Sequence, residues 1–140
     1  DSTEAKLLGY STLPVKEVMI GMKVNGLTGY TAIPVAADSL HALISPGKYV
    51  ATAIGRTAWK SLVAGSSLQL NCNAEGFNIN IGVACRMGII NNQENDCGSP
   101  DSWLGFGCSG GPIVGNYANG QWSPDNGGVN ITAFGYLFVR

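Results

Sequence analysis

Three groups of side chains able to do chemistry crowd into residues 91–128. The first is oxygen-rich. Asn92, Glu94, Asp96 and Asp101 lie in a short acidic, asparagine-rich run. Carboxylates and amide carbonyls are hard ligands, so the run predicts a calcium site. It lacks the glycine and distal glutamate of an EF-hand loop in register. The alternative is an Asx-turn loop that bonds its own backbone. The second group is aromatic and neutral: Trp103, Phe106, Tyr117 and Trp122, set among Asn116, Asn119, Gln121, Asp125 and Asn126. Sugars offer apolar C–H faces on which rings stack, and hydroxyls that amides and carboxylates bond. This group predicts glycan recognition, although the same composition also builds protein-binding surfaces. The third is Ser109, in the glycine-rich run Gly107-Cys108-Ser109-Gly110-Gly111-Pro112. Backbone N–H groups freed by glycines could form an oxyanion hole beside its hydroxyl.

The bulk composition narrows the partners. At 140 residues the chain is read as one domain with its own core. Only 12% of residues are charged and the net charge is −1, so no basic stripe exists to hold nucleic acid. No apolar run approaches the roughly 20 residues of a membrane-spanning helix, so no membrane insertion is expected. Cys72, Cys85, Cys97 and Cys108 include no C-x-x-C pair, and His41 is the single histidine. Two disulfides in a secreted or cell-surface protein are therefore expected over zinc. Three pairings are open. Short loops favour Cys72–Cys85 with Cys97–Cys108. The chain starts at Asp1 without Met, which reads as the C-terminal piece of a longer chain.

Strand signals dominate the elements that must position these groups. Residues 17–24 and 27–35 flank Asn25-Gly26, a hairpin dipeptide. Residues 49–54 and 67–72 read as short strands. Phe77, Ile79, Ile81, Val83, Cys85, Met87 and Ile89 alternate, as in one half-buried strand bent at Gly82 or Gly88. Residues 129–139, apolar on both faces, predict a central strand, which would bury the sequon at Asn130. Helical turns are expected over 3–8 and 38–43, the second capped by Asp38 or Ser39, with a helix-like stretch over 56–62. The fold class is all-β: an antiparallel sandwich or barrel with long glycine- and asparagine-rich loops, 91–128 being the longest.

Two stretches resemble known families. The run around Ser109 resembles the G-D-S-G-G-P segment of chymotrypsin-like serine proteases, which implies Ser109 as nucleophile and His41 as base. Cys108 replaces the aspartate of that motif. No aspartate lies between Asp38 and Asp96 to orient His41, so a non-enzyme is expected. Residues 91–140 resemble the C-terminal part of fibrinogen-like and intelectin-type lectins. The likeness rests on an acidic asparagine-rich loop leading to a cysteine (Glu94, Asn95, Asp96, Cys97). Glycine-rich aromatic loops (103–111, 122–128) and a closing apolar strand ending in arginine (134–140) complete it. It covers about a third of the chain and implies calcium-assisted sugar binding and oligomerisation. The resulting expectation is a lectin or adhesin domain, a homo-oligomer and, from domain type, a trimer at a fibre tip. An assembly module that binds only protein is the other non-enzyme reading.

Overall fold

The computed structural model describes residues 5–140. Among them nine strands form two antiparallel sheets. The first hairpin follows from sequence. β1 (Val15–Val24) and β2 (Leu27–Ala37) are rich in Val, Ile and Met. Asn25 and Gly26 both adopt positive φ (49° and 84°), as a type I′ turn requires. β9 (Phe134–Val139) pairs with the other side of β1 to complete a three-stranded sheet. The second sheet has six strands in sequence order: β3 (Val50–Ala51), β4 (Asn71–Ile81), β5 (Val83–Asn92), β6 (Ser102–Phe106), β7 (Val114–Ala118) and β8 (Val129–Thr132).

One core lies between the sheets. Val18, Ile20 and Met22 alternate along β1, and Ile33 faces in from β2. Phe77, Met87, Ile89, Leu104 and Phe106 meet them from the six-stranded sheet. α2 (Leu40–Ile44) and α3 (Arg56–Lys60) close the ends with Leu40, Leu43 and Trp59. Ser39 caps α2 by accepting the Ala42 N–H at 3.0 Å. Trp59 is anchored by a buried carboxylate. Glu75 Oε2 accepts from Trp59 Nε1 (2.8 Å), Thr52 Oγ1 (2.9 Å) and Ile54 N–H (3.1 Å). Oε1 accepts from Gly55 N–H at 2.8 Å. That side chain holds residues 52–59 in place where the expected strand over 49–54 shrinks to two residues.

A second cluster covers the outer face of the six-stranded sheet: Ile79, Cys85, Ile90, Trp103 and Cys108. Both disulfides sit here. They join Cys72 to Cys97 and Cys85 to Cys108, not the short-loop pairs expected from sequence. The reason is register: Cys85 lies opposite Ile79, far along the β4–β5 hairpin from Cys72.

Other expectations are corrected by geometry. The alternating segment is a hairpin that reverses at Gly82 (φ 67°), where a Cβ would strike Pro100 and Gly98 of the overlying loop. Residues 129–139 form two strands in different sheets, so Asn130 is exposed on edge strand β8. The loop tract 91–128 contains β6 and β7, interior strands of the larger sheet. Their glycine content has a use. Gly76, Gly88, Gly105 and Gly115 share one register across β4–β7, and a Cβ on any would collide with the neighbouring strand's backbone. Residues 67–70 form no strand. Of the turn expected over 3–8, positions 3 and 4 lie outside the described residues; the turn that forms is α1 (Gly9–Thr12).

Two outcomes test this architecture. Peptide mapping without reduction should recover the Cys72–Cys97 and Cys85–Cys108 links, and Cys72→Ser with Cys97→Ser should lower unfolding free energy by about 3 kcal/mol. Glu75→Gln replaces an acceptor oxygen with a donor facing N–H groups. Urea titration should show a loss of about 1–3 kcal/mol.

Candidate ligand-binding groove

The groove is built on a buried segment without a strand ladder. Ser67, Leu68 and Gln69 are fully or nearly fully buried, and buried backbone groups must be paired. Side chains do the pairing. Asn116 Oδ1 accepts from Ser67 N–H (2.7 Å) and its Nδ2 donates to Ser67 O (3.0 Å), as a peptide group would. Asp125 Oδ1 accepts from Leu68 N–H at 3.1 Å, and Ser102 Oγ accepts from Gln69 N–H at 3.0 Å. Arg56 donates to Leu68 O (2.7 Å) and Gln69 O (3.0 Å).

Asp125 joins this frame to two cations, Arg56 and Lys60. Burial alone would raise its carboxyl pKa. Hydrogen bonds from Lys60, the Leu68 N–H and Arg56, with the Arg56 charge, outweigh burial and hold it below the ordinary carboxylate value. Asn126 follows with its N–H on Ser67 Oγ (3.1 Å) and its Nδ2 donating to Ser66 O (2.6 Å).

Beside Asn126 opens a groove of about 570 Å³. One wall is the β1–β2 turn, with Val24, Leu27 and Thr28. The other is α3 and residues 61–66, with Thr57, Lys60 and Leu62. Gly29 sets the base: a Cβ there would collide with the carbonyls of Ser61 and Leu62, so only glycine lets this loop lie against β2. Apolar wall residues together with hydroxyls, an amide and an ammonium suit a ligand with both C–H faces and hydroxyls.

The expected aromatic surface is divided. Trp103 (5% exposed) and Tyr117 stack at 4.4 Å between ring centroids on the outer face of the six-stranded sheet. Gly110 and Gly111 fold over the Trp103 indole, whose Nε1 is buried without a protein partner. Phe106 belongs to the inner core, and Asn116 is fully buried in the frame. Asn119 caps the 3-10 turn Gly120–Trp122 by accepting the Gln121 N–H at 3.1 Å. Trp122 is 46% exposed. Of the nine residues in that group, Asn126 lines the groove and Asp125 is bonded to the groove residue Lys60.

The oxygen-rich run is a loop bonded to itself. Asp96 accepts from Gly98 N–H (2.8 Å) and from Ser99 Oγ (3.2 Å). Asn92 is buried, with Nδ2 donating to Asp96 O (2.9 Å) and Oδ1 accepting from Gln93 N–H (2.8 Å). Burial, then the charge of Glu94, raises the Asp101 pKa. Among the described residues no three His, Cys, Asp or Glu side chains gather where they could hold a metal ion.

Ser109 and His41 each contact other residues. Ser109 Oγ accepts from Ala84 N–H at 3.1 Å, and His41 packs edge-on against Tyr10 at 5.6 Å between centroids. Of the groove walls at 24–29 and 57–66, the first is announced in sequence only as the Asn25-Gly26 turn, and the second carries no functional motif, only the small, polar Ala64-Gly65-Ser66 after an apolar stretch.

The chain matches no protein-family model, no curated protein and no solved structure.

The Asp125 frame makes stability pH-dependent. A carboxyl whose folded pKa is depressed stabilises fully above its unfolded value, about 3.9, and loses that contribution as pH falls through the folded value. Urea titrations should show wild type more stable than Asp125→Asn near neutrality, with the two converging below about pH 4. Equal acid slopes for both chains would contradict the frame.

Proposed function

We propose that this domain is an extracytoplasmic recognition module that binds a neutral, hydroxyl-rich ligand, a glycan, in the groove beside Asn126. The observation that carries this reading is the groove itself: apolar lining residues, hydroxyls and an amide beside them, and Asn126 held to Ser66 and Ser67 by hydrogen bonds. A rim residue held in place before binding loses little ordering entropy, which favours weak polar ligands. Trp122 exposes its ring outside the groove lining, where it could stack on a sugar face beyond the groove. Two disulfides fit an oxidising compartment, hence a secreted or surface-displayed protein. The likeness of residues 91–140 to lectins agrees in kind. Single sugar sites are weak, and an adhesin would raise avidity by oligomerising.

A second reading, an assembly module binding protein only, is favoured by one surface. On the outer face of the three-stranded sheet, Met19, Tyr30, Phe134 and Phe138 are exposed, and Phe134, Tyr136 and Phe138 form a ring ladder. Contiguous exposed apolar surface of this kind marks interaction sites.

Thr57 is an exposed groove residue on α3, so Thr57→Trp fills the groove from outside the core. On a glycan array, with and without calcium, wild type should retain at least one glycan. Thr57→Trp should weaken that binding at least about tenfold, or 1.4 kcal/mol, with an unchanged unfolding midpoint. Retention of no glycan in either condition leaves the assembly reading.

A further inference from the structure

A second concavity, of about 240 Å³, lies on the six-stranded sheet away from the groove. It is lined by Gly47, Asn78, Asn80, Arg86 and Gly107, among others. We propose that it is a binding site for an organic carboxylate, held by the guanidinium of Arg86. This proposal stands apart from the groove and shares no residue with it.

The argument begins with Asn78. It is buried (4% exposed) and holds a left-handed backbone, φ 53°, which few non-glycine residues adopt. Its Nδ2 donates to two backbone carbonyls, Leu43 O (3.3 Å) and Lys48 O (3.1 Å). The amide nitrogen is thereby fixed, and the amide oxygen must face the other way. It accepts from Arg86 Nη1 at 3.2 Å. Gly107 lies against the base of the exposed Arg86 side chain. Gly107 (φ 61°) passes so close that an added Cβ would lie 2.8 Å from Arg86 Cβ. Arg86 N–H donates to Gly107 O at 3.3 Å.

The guanidinium is thus steered by one buried, immobilised amide, yet is not neutralised. Elsewhere among the described residues, Arg56 and Lys60 share Asp125, and Arg140 meets Glu17 at 3.0 Å. Among the described residues no carboxylate pairs with Arg86. With Nη1 turned to Asn78, further N–H donors of the fork remain for a ligand. A pre-oriented guanidinium is matched by two oxygens in one plane, the geometry of a carboxylate. The Asn80 side chain and the Gly107 backbone add polar groups for hydroxyls near that carboxylate. The volume admits a ligand the size of one acidic sugar ring or a smaller organic acid.

The test uses the intact domain with its disulfides formed. The Nε–Hε resonance of Arg86 and the Gly107 amide are followed by NMR during titration with D-glucuronate, acetate, D-glucose and inorganic phosphate. D-glucuronate should shift both saturably, and Arg86→Gln should abolish the shift of the Gly107 amide. Arg86→Lys keeps the charge without the fork and should weaken binding at least tenfold. Acetate binding as well as D-glucuronate assigns the site to organic acids generally; D-glucuronate binding more tightly assigns it to acidic sugars. Both results uphold the proposal. Equal response to D-glucose, equal affinity for phosphate, full retention in Arg86→Lys, or no response to either acid overturns it. A Thr57→Trp chain should respond as wild type, so failure here and failure of the groove reading are told apart.

Discussion

Everything around the groove depends on how three buried residues satisfy their backbone. Ser67, Leu68 and Gln69 run through the interior without neighbouring strands to bond. An unpaired buried peptide group costs about as much as a lost hydrogen bond, so such a segment survives only if side chains take the place of a ladder. Asn116, Asp125, Ser102 and Arg56 do so, from β7, the 123–128 loop, β6 and α3. Four elements distant in sequence are therefore fixed relative to one another by one short stretch. The position of Asn126 on the groove rim is a by-product of that arrangement.

The fold was legible where local chemistry decides geometry. Asn25-Gly26 announces its hairpin because both positions need positive φ, and Ser39 announces the start of α2 because its hydroxyl meets a free N–H. It was illegible where a residue answers to a distant neighbour. β6 and β7 carry Gly105, Gly115 and Asn116, which read as loop residues. The glycines stand in a row cut across the sheet, where any side chain would enter the adjoining strand. Asn116 pairs with a backbone 49 positions away. The cysteine pairing likewise followed from strand register, which residue spacing does not encode.

The same division runs through the site. Asn126 and Trp122 stood out in composition; both are exposed, and Asn126 lines the groove whereas Trp122 does not. Trp103, Phe106 and Asn116 have the chemistry of recognition but lie inside, where a stacked ring and a paired amide serve packing. Arg86 gave no signal in sequence. A lone arginine on a strand is ordinary until the structure shows that Asn78 aims it and that no acid among the described residues pairs with it.

Both covalent cross-links brace the outer cluster, whereas the core between the sheets contains none. The molecule therefore has one half whose integrity depends on its redox surroundings and one half indifferent to them. Reduction removes cross-links only from the face that carries Trp103, and the core between the sheets rests on hydrophobic burial. The hydrophobic burial that joins the two sheets therefore does not itself require a sulfur–sulfur bond.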